Sequence, residues 1–166
     1  MPANDHKLEQ AGNQLASQLS EAGLTMVTAE SCTGGWVAKV LTDKAGSSAY
    51  VIGGLVTYSN EAKQALLGVT EASLVNHGAV SEPVVREMVA GALAATGASV
   101  AVSVSGVAGP GGGSDAKPVG TVWFAWGSDV ETTEAVVQRF SGDREQVRRQ
   151  AVLFALQGVS HFLEKA

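Results

Sequence analysis

The chain reads as an α/β protein, a three-layer α/β/α single domain over residues 1–166 with a mixed, mostly parallel sheet and a late β-hairpin. Three observations predict this. Apolar residues at helical spacing alternate with short apolar runs rich in β-branched residues, the pattern of strand–helix–strand crossovers. Glycines repeatedly close the helical segments. Near the C-terminus, two strand-like runs flank Gly127-Ser128-Asp129, a turn signal. A chain of 166 residues buries a substantial core without disulfides.

Leu8, Ala11, Leu15, Leu19 and Ala22 share one helix face, and Gly23 stops that helix. Leu24–Thr28 reads as a strand, and Thr33 or Gly34 to Leu41 as a helix with Lys44 near its end. Tyr50–Tyr58 is a second strand, in which Gly53-Gly54 marks a bulge or a close approach. Asn60 caps a helix over Glu61–Leu67, and Thr70 caps another ending at His77. Ser81-Glu82-Pro83 starts a helix that runs to Thr96. Ala98–Ser105 is a buried strand, and a glycine-rich loop, Gly106–Ser114, continues to Pro118. Thr121–Trp126 and Thr132–Phe140 form the hairpin. Asp143 opens the last helix with Gln146 as its capping-box partner, and Val147, Ala151, Phe154, Ala155, Gly158 and Phe162 line one face.

Net charge is −5 and no basic run occurs, so nucleic acid is not expected as a partner. Charged residues make up only 16%, so much surface is expected to be buried, partly in contacts between subunits of a homo-oligomer. One cysteine excludes an internal disulfide framework and fits a reducing compartment, the cytoplasm. The polar segment Met1–Gln10 lacks a signal peptide's apolar centre and any membrane span.

Chemistry concentrates in Thr28-Ala29-Glu30-Ser31-Cys32-Thr33-Gly34-Gly35-Trp36. A strand-to-helix turn sets the hydroxyl of Ser31 or the thiol of Cys32 near free backbone N–H groups, as attack on a carbonyl or anion binding requires. The turn is not a nucleophile elbow, because Ala29 and Thr33 stand where G-x-S-x-G needs glycines, and no S-x-x-K lysine follows. Gly106–Ser114 lacks both the P-loop ending and the last glycine of G-x-G-x-x-G, so it is a plain connection or a backbone cradle for an anion. His6, His77 and His161 have no metal-ligand spacing, and no metal or cofactor is expected.

A serine needs a base. Thr57-Tyr58-Ser59-Asn60-Glu61-Ala62-Lys63 supplies Lys63, whose pKa falls if it is buried, with Tyr58 as a relay. Spacing alone favours the plainer alternative, Lys63 on a solvated helix face and Tyr58 at the rim of the core. Cys32 is either a thiolate lowered by a helix end or, more commonly, a small buried apolar residue. Arg144 and Arg148, four apart, share a face that either clamps a phosphate or carries surface ion pairs.

These motifs, with Gly78-Ala79-Val80-Ser81, Ser105-Gly106-Val107-Ala108-Gly109-Pro110-Gly111-Gly112 and Pro118-Val119-Gly120-Thr121-Val122, resemble the CinA C-terminal domain family of nicotinamide-mononucleotide deamidases, in order, from about Leu8 to Phe162. Gly111 departs from members that carry Asp after the proline. The resemblance implies a stand-alone amidohydrolase that converts nicotinamide mononucleotide to nicotinic acid mononucleotide and ammonia without a metal. Ser31 matches the nucleophile, and Lys63 and Tyr58 the base and its partner. As expectations, the N–H groups of Thr33 and Gly34 hold the oxyanion and Ser48 adds a hydroxyl to the relay. Ser105, Gly106 and Arg144 contact ribose and phosphate. Glu30 faces the pyridinium or only accepts backbone hydrogen bonds. The alternative is a non-catalytic nucleotide-binding or regulatory module with the same pocket.

Overall fold

A computed structural model describes residues 3–165; Met1, Pro2 and Ala166, at the ends of the expected domain, lie outside the described residues. Helix α1 (Asp5–Ala22) starts at Asn4, whose side chain accepts the Lys7 N–H, and stops at Gly23. Its stripe of Leu8, Ala11, Leu15 and Leu19 is buried. Strand β1 (Met26–Glu30) leads to α2 (Trp36–Thr42), a short 3-10 turn (Ser47–Ala49) and β2 (Val51–Val56). Three helices follow, α3 (Asn60–Leu67), α4 (Glu71–His77) and α5 (Glu82–Thr96). The chain closes with β3 (Val100–Gly106), β4 (Thr121–Gly127), β5 (Glu134–Arg139) and α6 (Arg144–Glu164).

The sheet order is β2-β1-β3-β4-β5. β1 pairs in parallel with both β2 and β3, β4 runs antiparallel to β3 and β5, and β4 is thus the one reversed strand. Alternation sorts the strand residues between two helical layers. Met26, Val100, Val102, Val104, Val122, Phe124 and Trp126 pack with α1, α2 and α6. Val27, Ala29, Ala101 and Ala125 pack with the α3–α5 side. Hence the expected α/β/α layering and late hairpin are present. No helix is long and apolar enough to cross a membrane among the described residues.

Several boundaries differ from the sequence expectation. β1 lies two residues later, because Glu30 continues the ladder to β2 and β3. α2 begins at Trp36, since Gly34 and Gly35 take φ of 62° and 100° and keep the preceding turn out of the helix. Ser59, not Asn60, caps α3 by accepting the Ala62 N–H. Thr132 and Thr133 belong to the hairpin turn, where their hydroxyls bind the Asp129 backbone. At Gly54 the approach is close: a Cβ there would lie 2.6 Å from Thr28 Oγ1 and 3.1 Å from Ala38 Cβ. The register also shifts between Met26 and Val27, which pair with Val51 and Gly53.

Candidate active site

The site forms where β1 and β2 end and their connections leave for opposite faces of the sheet, α2 to one side and α3 to the other. Such a divergence at strand C-termini opens a crevice. Ser31 follows β1 directly and stays in register with the sheet, its N–H donating to the Val104 carbonyl at 2.9 Å. The turn then closes on itself, Gly34 N–H to Ser31 O and Trp36 N–H to Thr33 O, both at 3.0 Å.

Glu30 is 1% exposed and holds this turn from beneath. Its Oε1 accepts Thr33 Oγ1 at 2.6 Å and the Val37 N–H at 2.9 Å, while Oε2 accepts the Ala38 N–H at 3.1 Å. A carboxylate there satisfies the orphan donors of the first helical turn. Of its two expected roles, the structure gives Glu30 the backbone one, and its burial keeps it from facing a pyridinium.

Lys63 lies on α3, 1% exposed, with its stem turned under the end of β2. This corrects the solvated-face reading, since burial of Leu67 one turn later carries the same helix face inward. Its Nζ donates to the carbonyls of Thr57 at 2.8 Å and Tyr58 at 3.2 Å, and lies 2.9 Å from Ser31 Oγ. No carboxylate pairs with it among the described residues. Burial pushes its pKa below the ordinary 10.5, and Cys32 opposes this. A neutral amine has two N–H groups and one lone pair. Nζ here donates to the two carbonyls and to Ser31 Oγ, three acceptors for the three N–H groups of an ammonium; on losing a proton it can keep the carbonyls and turn its lone pair to the serine hydroxyl.

Tyr58 reaches this cluster through its backbone. Its carbonyl also accepts Ser31 Oγ at 3.4 Å, whereas its ring is 61% exposed and its phenol oxygen accepts from Arg144 at 3.1 Å. The phenol therefore does not lie between Lys63 and Ser31. Arg144 also donates to Gly109 O at 2.8 Å, tying the glycine-rich loop to the end of β2. Cys32 is 5% exposed, and burial, then the Glu30 carboxylate, raise its thiol from 9.0 to about 11. A thiol so raised stays protonated at neutral pH and is a poor nucleophile.

The remaining candidates separate. Ser105 (1% exposed) and Gly106 end β3, next to the carbonyl that holds Ser31. Gly34 N–H is already spent on Ser31 O and Thr33 is fully buried, which corrects their expected role as oxyanion donors. Gly35, partly exposed, keeps an N–H without an acceptor among the described residues. Ser48 is at the wrong end of its own chain. It precedes β2, and Met26 pairs with Val51, so the start of β1 is its neighbour. Five strand residues, about 16 Å, separate that end from Ser31.

Two contributors escaped the sequence expectation. The Thr57 carbonyl is a backbone group with no sequence signal. Arg148 appeared only as half of a phosphate clamp; instead its guanidinium donates to Cys32 O at 3.0 Å and Thr33 O at 3.4 Å, and lies 5.7 Å from the Trp36 ring. An open groove of about 850 Å³ adjoins this turn, lined by Thr33, Gly34, Gly35, Trp36 and Arg148 and by residues of α1.

Residues 8–163 match the model of the CinA C-terminal domain family. The chain is 59% identical over 155 residues to the nicotinamide-nucleotide amidohydrolase PncC of Escherichia coli strain K12, covering 92% of this chain and 93% of that one. It is 53% identical to the enzyme of the same name from Enterobacter agglomerans, over 93% and 94% of the two chains. A crystal structure of a competence-damaged protein (CinA) superfamily member from Klebsiella pneumoniae superposes with a TM-score of 0.92 at 42% identity, over 96% of this chain and 99% of that one.

Proposed function

The chain belongs to the CinA C-terminal domain family, and from that premise we propose that it is a nicotinamide-nucleotide amidohydrolase with a serine nucleophile. Its substrate is nicotinamide mononucleotide, and its products are nicotinic acid mononucleotide and ammonia, a salvage step in pyridine nucleotide metabolism. It works in the cytoplasm as a homo-oligomer, and its net charge of −5 disfavours nucleic acid as a partner.

The observation that carries the mechanism is the 2.9 Å contact between Lys63 Nζ and Ser31 Oγ. Neutral Lys63 takes the hydroxyl proton directly as Ser31 Oγ attacks the carboxamide carbon. The Gly35 N–H, which has no acceptor among the described residues, stabilises the oxyanion, a donor worth about 3 kcal/mol. The Lys63 ammonium then protonates the departing nitrogen, which leaves as ammonia, and an acyl ester remains on Ser31. Water attacks that ester, again giving its proton to Lys63. Collapse of the second tetrahedral intermediate breaks the ester bond, returns the proton to Ser31 Oγ and frees the acid. Arg144, exposed beside Gly109 and Tyr58, has donors left for the substrate phosphate.

Ammonia release from the mononucleotide, measured at several enzyme dilutions for wild type and Ser31→Ala, tests this reading. Wild type is expected to turn over, and Ser31→Ala to bind the nucleotide in calorimetry without turnover. Saturable binding by wild type with no ammonia at any dilution would instead favour the non-catalytic module.

A further inference from the structure

Two full charges of opposite sign hold the turn that carries Ser31, and both are spent on its local polar groups. Glu30 accepts from Thr33 Oγ1 and from the Val37 and Ala38 N–H groups. Arg148, in the second turn of α6, does the converse. Its Nε donates to Cys32 O at 3.0 Å and its Nη2 to Thr33 O at 3.4 Å. These donors share one edge of the planar guanidinium, so two consecutive carbonyls are held as a pair. The neighbouring Arg149 is paired with Asp5 and Glu145, whereas no carboxylate pairs with Arg148 among the described residues.

The bond to Thr33 leads to the nucleophile. Thr33 C=O and Gly34 N–H belong to one planar trans peptide and point in opposite directions. The Gly34 N–H donates to Ser31 O at 3.0 Å. Guanidinium, peptide and Ser31 carbonyl thus form a chain in which each bond strengthens the next. The Ser31 N–H is held in turn by Val104 O at 2.9 Å. With both backbone groups fixed, the Cα–Cβ direction of Ser31 is fixed too, and Oγ lies 2.9 Å from Lys63 Nζ. The glycines do not supply this rigidity themselves. Gly34 and Gly35, at φ of 62° and 100°, are the least restrained residues a turn can have. The guanidinium also needs Gly34, because a Cβ there would lie 3.2 Å from Nη2.

We propose that Arg148 is a positioning residue for the nucleophile: it holds the Cys32 and Thr33 carbonyls so that Ser31 Oγ stays on Lys63 and the Gly35 N–H stays free for the oxyanion, and it does not bind the substrate phosphate. Its effect on catalysis rests on the serine mechanism above; its hold on the turn does not. Lysine at this position keeps a charge and an apolar stem against Trp36, but offers a point cation in place of an edge with two donors.

Amide hydrogen exchange reads the turn without any chemistry. The Gly34 amide is expected to exchange at least about tenfold faster in Arg148→Ala than in wild type, while the amides of β1 and β3 keep their rates. An unchanged Gly34 rate, or an equal acceleration across the sheet, overturns the proposal. Steady-state kinetics and calorimetry read the catalytic effect. Arg148→Ala is expected to bind the mononucleotide with wild-type Kd and stoichiometry while kcat falls about 100-fold, the scale of a misplaced reacting group. The fall is expected to be equal on the mononucleotide and on the phosphate-free riboside. If the alanine variant does not fold, Arg148→Lys carries the same readings, with effects of about tenfold, the scale of one lost hydrogen bond. A kcat within about threefold of wild type overturns the positioning role, and so does a loss confined to KM of the mononucleotide, which marks a phosphate clamp. A wild type without turnover refutes the serine mechanism and with it the catalytic effect, while the exchange rates still decide the turn.

Discussion

Replacing Lys63 by methionine or arginine separates its chemistry from its volume. Methionine keeps the apolar stem and removes the amine; arginine keeps a charge that never dissociates near neutral pH. Either change leaves Ser31 Oγ without the base now 2.9 Å away. A positioned base contributes about 10²- to 10⁴-fold, or about 3–5 kcal/mol of barrier, so kcat should fall by that factor in both variants. Stability moves less. Methionine leaves the Thr57 carbonyl without its Lys63 donor, at about 1–3 kcal/mol, and the Tyr58 carbonyl with the Ser31 hydroxyl alone, offset by removing an amine whose ionisation burial disfavours.

The pH dependence follows from the lowered pKa. The reactive form is the neutral amine, so kcat/KM of wild type rises with pH along a limb set below 10.5. Stability follows the same titration. Between the lowered folded-state pKa and 10.5 the unfolded chain binds more protons, so wild type gains stability as pH rises through that window. Below the window the penalty of the buried charge is present in full. Lys63→Met has neither the activity limb nor the stability gain. Coupled ammonia assays across pH and urea midpoints at neutral and alkaline pH measure both. A Lys63→Arg enzyme with more than about a tenth of wild-type kcat would refute Lys63 as the base.

Cys32→Ala should keep most activity, and native Cys32 should resist iodoacetamide at neutral pH, because its thiol is held near 11; rapid alkylation with loss of activity would contradict this. Arg144→Ala should raise KM for the mononucleotide and leave the phosphate-free riboside nearly unchanged, with steady-state kinetics on both substrates as the measurement. Glu30→Gln keeps one acceptor oxygen and turns an NH₂ onto at least one of the three donors that the carboxylate now satisfies, and should cost about 1–3 kcal/mol in a denaturant titration. At Gly91 a Cβ would stand 1.8 Å from the Leu67 carbonyl oxygen, so Gly91→Ala should force α5 off α3 and lose about 3 kcal/mol in the same titration.

The local order of the chain was legible because it depends on short-range physics. Periodic apolar residues placed α1 and α6, Asp143 and Gln146 form the capping box expected of them, and Gly23, Gly68 and Gly97 end helices in the left-handed conformation. The strand-to-helix turn at Ser31 and the candidate lysine at Lys63 were visible as residue types in sequence. Direction of burial was not. Whether Lys63 faced water or the core depended on α3 packing beneath the end of β2, a contact between segments that spacing along one helix does not encode.

What the sequence determined by itself was the alternation of elements, the late hairpin and a small set of polar side chains able to act on a carboxamide. Tertiary structure decided their roles. Parallel pairing of β1 with β2 brought Lys63 to Ser31 and sent Ser48 to the far end, because parallel strands keep their entry and exit ends apart. It turned the Tyr58 phenol to Arg144 and gave the Tyr58 and Thr57 carbonyls to the lysine. It also buried Glu30 beneath the turn it shapes. Each outcome depends on where a backbone carbonyl or a strand end lies in space, and those positions are fixed by contacts between segments distant in sequence.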